Sequence, residues 1–199
     1  PVGVLAAIYL QEYAKKGKFV NSVRFATESL AGIPSIVYGL FGGIFFVITL
    51  KMGYSILAGS LTVSIIILPL IIRTTEESLK TVPIGYREAS LAMGATKFQT
   101  ICKVIIPSAA PGILSGIILS IGRIVGESAA ILLTAGTVAK MPTGIFDSAR
   151  TLTVQSYLLA KETGNIQAAA SVGVVLIVIV LCLNALAKFI VKKFSKEIY

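Results

Sequence analysis

Arg123 and Glu127 stand four residues apart inside an apolar stretch that runs over 108–137. On a helix that spacing puts both side chains on one face, about 6 Å apart. A guanidinium is permanently cationic and presents a fork of donors matched to phosphate or carboxylate oxygens. A neighbouring carboxylate neutralises it in part, so such a pair holds an anion weakly enough to release it. Gly122 and Gly126 leave the backbone open to close approach by another helix or a ligand. A purely structural pair is the alternative reading. However, each charge costs at least ~2.5–3.5 kcal/mol at the centre of a bilayer, and two apolar residues are cheaper to bury. Charge retained at that depth points to passage of an anion, with phosphate, sulfate and larger anions left open.

The elements that position this pair follow from composition. Of 199 residues, 55% are apolar and 14% charged, with 18 glycines and no histidine or tryptophan. Soluble domains have ~45–50% apolar and about 25% charged residues. A mean hydropathy of +0.89 therefore indicates a membrane protein. Intrinsic disorder is excluded by the apolar content. The missing histidine removes histidine triads, histidine-ligated zinc and histidine-ligated haem. Cys102 and Cys182 have no metal or redox spacing, and no disulfide is expected between them. No cofactor or metal is implied. The net charge of +9 fits loops facing anionic lipid rather than nucleic acid.

Four apolar stretches are long enough to cross a membrane as helices, over about 32–50, 52–72, 108–137 and 166–190. The expected fold is an all-α, multi-pass helical bundle forming a single transmembrane domain over 1–199. Only Lys51, Met52 and Gly53 separate the first two stretches, which predicts a tight hairpin. Pro34 falls in an opening turn, where a missing N–H costs little. The apolar run from Pro1 to Leu10 is shorter than the ~20 residues a span needs, so it reads as the end of a helix that begins earlier. Thirteen basic residues fall on one side of these spans: Lys15, Lys16, Lys18 and Arg24; Arg73, Lys80, Arg87, Lys97 and Lys103; and Lys188, Lys192, Lys193 and Lys196. The other side holds Lys51, Lys140, Arg150 and Lys161. By the positive-inside rule the first group, with the C-terminus, is cytoplasmic. Residues 138–165, with Asp147 and Arg150, read as outer surface, and Glu76 and Glu77 read as solvated. Tyr9, Tyr13 and Tyr54 fall where an interfacial aromatic belt would lie. The glycines at 39, 42 and 43 suit helix packing.

The 35-residue cytoplasmic loop 73–107 is too long for a simple connector. The segment from Tyr86 to Met93 favours a helix, Gly94 suits a left-handed cap, and Pro83 and Pro107 bracket it. Ala89, Ala92 and Met93 recur at three- and four-residue steps, giving one narrow apolar face. Pattern alone fits either a helix resting on lipid or one that docks in a groove of a soluble partner.

Together, Glu88-Ala89-Ser90, then Gly94, then Val104-Ile105-Ile106-Pro107 resemble the EAA signature of ABC transporter permeases, with matching spacing throughout. Further stretches are similar to the phosphate-importer permeases of PstA type: Gly32-Ile33-Pro34-Ser35-Ile36-Val37-Tyr38-Gly39-Leu40, and Gly122-Arg123-Ile124-Val125-Gly126-Glu127-Ser128-Ala129. Ser128 and Ala130 depart from the Thr and Pro expected there. The resemblance implies a type I importer fold (MetI-like) with a cytoplasmic coupling helix, in a chain short of its first membrane helices. It implies a permease subunit in the inner or plasma membrane that is not itself an enzyme. Two copies of a separate ABC ATPase, a second homologous permease of PstC type and a periplasmic or lipid-anchored phosphate-binding protein are the implied partners. Glu88, Ala89, Ser90, Gly94 and Pro107 would couple to the ATPase. Arg123, Glu127 and Ser128 would line the substrate pathway. Sulfate or molybdate is the alternative cargo, and a channel or scaffold without energy coupling is the alternative class. Gly17-Lys18, the one Gly-Lys pair, lacks the remainder of a phosphate-binding loop.

Overall fold

The computed structural model describes residues 1–15 and 17–198, with side chains at 190 and 192–198 outside that description. Four of the thirteen basic side chains assigned to the cytoplasmic face, Lys16, Lys192, Lys193 and Lys196, therefore lie outside the described residues. The described chain is helical and forms two compact units. Unit one comprises Pro1–Ala31, Leu68–Ser120 and the chain from Ala185 onward; unit two comprises Gly32–Ile67 and Ile121–Asn184.

In unit one, α1 (Val2–Ile8) runs into a π-helical turn, Tyr9–Tyr13, and is followed by α2 (Lys18–Ala31). The later part of a long helix, α4 (Ile56–Lys80), joins them, and Pro83 starts the short α5 (Ile84–Ala92). After Gly94, α6 (Lys97–Thr100), a π turn over Ile101–Ile105 and α7 (Ile106–Val125) form one continuous 29-residue helix. The core of the unit is Leu79, Val82, Ile101, Ile105, Ala109 and Ile113, with Val4 and Ile8 of α1 against it. Gly112 and Gly116 let α7 meet α4 closely, since a methyl group at Gly112 would lie 2.6 Å from Ser78 Oγ.

Pro107 does not bracket a separate short helix, as its sequence position suggests. A proline in a regular helix lacks the N–H for the fourth carbonyl back and clashes with it. Here the preceding turn widens to π geometry, with the Ile106 N–H donating to Ile101 O, and the helix continues through the proline. The start of this helix is secured by a capping box. The Gln99 N–H donates to Thr96 Oγ1 at 3.2 Å, and the Thr96 N–H donates back to Gln99 Oε1 at 2.9 Å.

Unit two holds α3 (Ser35–Gly42), which continues as a π helix over Gly43–Thr49, and the first part of α4. It also holds the end of α7, the short α8 (Ala129–Leu132), α9 (Leu152–Lys161) and the greater part of α10 (Ile166–Ile198). Buried Tyr38, Ile66 and Ala130 form one cluster; Val63, Ile131, Ala135, Val154 and Leu158 form another. At Gly39 α3 lies close against α8: a methyl group there would sit 2.8 Å from Ala130 Cα and 3.2 Å from Ala129 O. Both neighbours are backbone and cannot rotate away. Gly39→Ala is therefore expected to destabilise the protein by about 1–3 kcal/mol, the usual cost of overpacking, read as a lower thermal midpoint in detergent. An unchanged midpoint would show that α3 and α8 are free to separate.

The N-terminus of α4 is closed by a loop from further along the chain. The Ile56 N–H donates to Asp147 O at 3.0 Å, Leu57 N–H to Ile145 O at 2.9 Å, and Ala58 N–H to Ser55 Oγ at 3.2 Å. These are among the donors a helix start leaves unpaired. Asp147 shapes that loop, because its Oδ2 accepts from Thr143 Oγ1 at 2.8 Å, Thr143 N–H at 2.7 Å and Gly144 N–H at 2.9 Å. The Thr143 hydroxyl first, then the two backbone donors, hold the Asp147 carboxyl below its ordinary value. A lowered folded value stabilises the fold above the usual carboxylate range and loses that contribution as pH falls through it. Acidification through that window should lower the protection of the Ile56 and Leu57 amides, taken as the ratio of intrinsic to observed exchange rate at each pH. Asp147→Asn should remove that loss of protection, and protection that stays constant with pH would disconnect Asp147 from the α4 cap.

The helices differ in extent from the apolar stretches. Among the described residues, three helices are long and apolar enough to cross a membrane: Ile56–Lys80, Lys97–Val125 and Ile166–Phe189. The stretch 32–50 supplies helix only over Ser35–Thr49 and reaches spanning length only when taken with α2. The hairpin after it is real but longer than three residues, with Lys51 and Gly53 both in left-handed conformation, at φ 53° and 64°. The helix expected over 108–137 ends at Val125.

Candidate coupling surface and anion pathway

In unit one the residues singled out from the sequence come together around α5. Glu88 and Ala89 are exposed, Ser90 is half-buried, and α5 has no buried residue. Gly94 adopts φ 83°, its N–H donates to Leu91 O at 3.0 Å, and Ala95 N–H donates to Ser90 O at 3.2 Å. This is the left-handed glycine stop expected from sequence. Met93, beyond α5, is 88% exposed, and Leu91, Tyr86 and Ile84 are exposed with it. A short helix with this much uncovered apolar surface is built to be covered by something else. Pro107 lies apart from this surface, inside the long helix.

What fixes α5 to the rest of the unit was not legible in its own sequence. Arg87 Nη2 donates to Glu12 Oε1 at 2.7 Å and to Leu79 O at 3.2 Å. Glu12, in the π turn after α1, has a side chain only 9% exposed, and Leu79 is fully buried in the core. Next to Glu12, Gln11 accepts from Arg24 Nη2 at 3.1 Å, and Arg24 Nε lies 3.3 Å from both oxygens of Glu76. Two buried carboxylates are thus matched by two arginines from distant segments. Glu76 is buried, which corrects its reading as solvated; Glu77 is exposed and pairs with Arg73 at 3.2 Å. The available signal was the presence of acidic residues within strongly basic segments, which charge counting by side conceals. Ser90 is tied as well, its Oγ 2.9 Å from Thr100 Oγ1.

In unit two the pair Arg123 and Glu127 does not share one helical face. Arg123 lies in the last turn of α7 and is exposed. After Val125 the chain tightens: the Gly126 N–H reaches Gly122 O at 3.3 Å, and the Glu127 N–H bonds to Ile124 O at 3.0 Å, one residue short of α spacing. Gly126 and Ser128, at φ −121°, then carry the chain out of the helix. Glu127 Oε1 instead accepts the Ala130 N–H at 3.3 Å, and Glu127 O accepts from Thr153 Oγ1 at 2.8 Å. Among the described ion pairs none joins Arg123 to Glu127. Ser128 lines a cavity of about 110 Å³ with Ile36, Leu132 and Tyr157.

Comparison with known proteins places this geometry. Residues 1–196 match the family of binding-protein-dependent transport system inner membrane components. The chain is 36% identical to the probable ABC transporter permease YqgI of Bacillus subtilis, over 96% of this chain and 70% of that protein. It is 42% identical to the phosphate transport system permease PstA of Mycobacterium leprae, over 74% of this chain and 48% of that one. With PstA of Yersinia pestis the identity is 37%, over 97% and 66%. The chain thus spans between 48% and 70% of the length of these curated relatives. In three dimensions it is similar to the inward-facing MetNI methionine ABC transporter, with a TM-score of 0.79 at 22% identity, covering 97% of this chain and 86% of that one. That likeness extends to the fold, as expected of a MetI-like permease. By its sequence over nearly its full length, this chain belongs to the inner membrane components of binding-protein-dependent transport systems.

Proposed function

We propose that the chain is a permease subunit of an ATP-driven importer of inorganic phosphate. Two copies of a separate ATPase supply the energy, a second homologous permease of PstC type completes the pathway, and a phosphate-binding protein outside the membrane delivers the anion. The observation that carries this reading is the uncovered α5, held by a partly buried ion pair, in a chain whose PstA relatives are named for phosphate transport. Each ATPase copy closes on ATP and pushes a coupling helix. In this chain Glu88, Ala89 and Ser90 meet the ATPase, Gly94 ends the lever, and the long helix that contains Pro107 carries the movement. Arg123 meets the anion in transit, and Glu127 and Ser128 shape the turn beside it. The basic segments and the C-terminus face the cytoplasm, as the charge asymmetry implies.

Uptake of radiolabelled phosphate into proteoliposomes holding the full complex tests this reading. It should require ATP and the binding protein and resist excess sulfate. Uptake that sulfate abolishes, or that proceeds without ATP, would overturn it. Capture of the ATPase by the permease pair should weaken with Glu88→Ala, whereas a channel or scaffold without coupling would capture no ATPase.

A further inference from the structure

In unit one, α2 (Lys18–Ala31) presents three chemically different sides. Successive residues of a helix turn by about 100°. Val20, Arg24 and Thr27 therefore share one side, and this side meets the protein: Val20 is buried and the other two are half-buried. About a quarter turn away, Phe19, Val23, Ala26 and Leu30 recur at steps of four, three and four residues and form an apolar stripe. Phe19, Ala26 and Leu30 are exposed there, Phe19 by 72%. Directly opposite the stripe stand Asn21 and Glu28, both exposed. Phe25 falls outside the stripe, on the flank that faces away from the protein with Ser22 and Ser29. A helix divided in this way between protein, apolar medium and water lies in a membrane surface. Its 14 residues are too few to cross a bilayer, which takes about 20.

Arg24 sets the depth. From Ile56 to Ile72 α4 carries no charged residue, and Arg73, Glu76, Glu77 and Lys80 all follow in its last two turns. Glu76 thus stands where α4 leaves the hydrocarbon, and the contact of Arg24 Nε with this buried carboxylate holds the middle of α2 at the same level. Charge supplies the remaining argument. With Arg24 matched to Glu76, the segment 15–31 still carries Lys15, Lys16 and Lys18 against the single acid Glu28. Lys15 and Lys18 are exposed. An apolar stripe with a basic end is complementary to a lipid surface that bears anionic headgroups.

We propose that α2 is a lipid-binding helix: its Phe19–Leu30 stripe lies among acyl chains and its lysines lie among anionic headgroups. The proposal is independent of which solute the importer carries. The test is photo-crosslinking in the assembled transporter, held in vesicles of phosphatidylglycerol and phosphatidylcholine in equal parts, with adducts identified by mass. Phe19→p-benzoylphenylalanine should give lipid adducts, and the same replacement at Asn21 should give about a tenth of that yield or less, because Asn21 faces water. Phosphatidylglycerol adducts at position 19 should outnumber those of phosphatidylcholine by about threefold or more. Combining Lys15→Gln, Lys16→Gln and Lys18→Gln should bring that ratio to about one. Should the variant at Phe19 fail to assemble, the same replacement at exposed Leu30 decides. An adduct with a protein subunit in place of lipid would overturn the proposal and make the stripe a protein interface. Equal lipid yields at positions 19 and 21 would also overturn it, by placing α2 inside the hydrocarbon as part of a span. A lipid ratio near one in the unaltered background, or one that survives loss of the three lysines, would remove the anionic headgroups from the site.

Discussion

Arg123→Gln is expected to reduce phosphate uptake about a hundredfold, equivalent to roughly 3 kcal/mol, while the complex still assembles. The guanidinium stands exposed in the last turn of a helix long and apolar enough to cross a membrane. A permanent cation is tolerated at such a place only where it faces protein, water or a passing anion. Glutamine is shorter, keeps some hydrogen bonding and removes the charge that attracts the anion. Glu127→Gln should behave differently. Its carboxylate accepts the Ala130 N–H, a bond the amide oxygen of glutamine can also accept, so uptake should stay closer to normal than with Arg123→Gln. Uptake within about threefold of normal in Arg123→Gln would take this residue off the pathway.

Separating Arg87 from Glu12 should impair coupling between ATP hydrolysis and transport. The pair joins α5 to the turn after α1, with side-chain exposures of 24% and 9%. Breaking a fully buried pair on one side costs about 3–5 kcal/mol; the partial exposure of Arg87 reduces this to about 1–2 kcal/mol. Arg87→Gln and Glu12→Gln should each lower the thermal midpoint and raise the ATP consumed per phosphate carried. A double-mutant cycle should give an interaction energy above about 0.5 kcal/mol. The exchange Arg87→Glu with Glu12→Arg should recover part of the loss, and only part, because a glutamate at 87 cannot donate to Leu79 O as Arg87 does. Additive single effects with no recovery on exchange would show that the pair plays no part in transmitting the stroke.

Much of this architecture was readable from residue order because its causes are local. Three of the long helices follow from apolar runs, since a lipid-crossing segment must pair its own backbone groups. The start and stop of α5 follow from Pro83 and from Gly94, whose φ of 83° few other residues adopt without strain. Local rules were less reliable where two of them competed. Helical pitch carried the 108–137 stretch through Glu127, but Gly126 let the helix end at Val125, and the expected ion pair went with it. The proline rule placed a stop at Pro107, but a π turn just before it removed the need.

From the sequence alone come the long apolar helices, the short helix α5 and an arginine within an apolar stretch, all properties of residues within a few turns of one another. Tertiary structure decided which charges meet: Arg87 with Glu12, 75 positions away, and Arg24 with Glu76, 52 away. It also decided that half-buried Arg150 lines a cavity along α4. The physical reason is that helix and turn preferences extend about four residues, whereas a buried charge takes whichever partner the packing of distant helices brings within hydrogen-bonding distance.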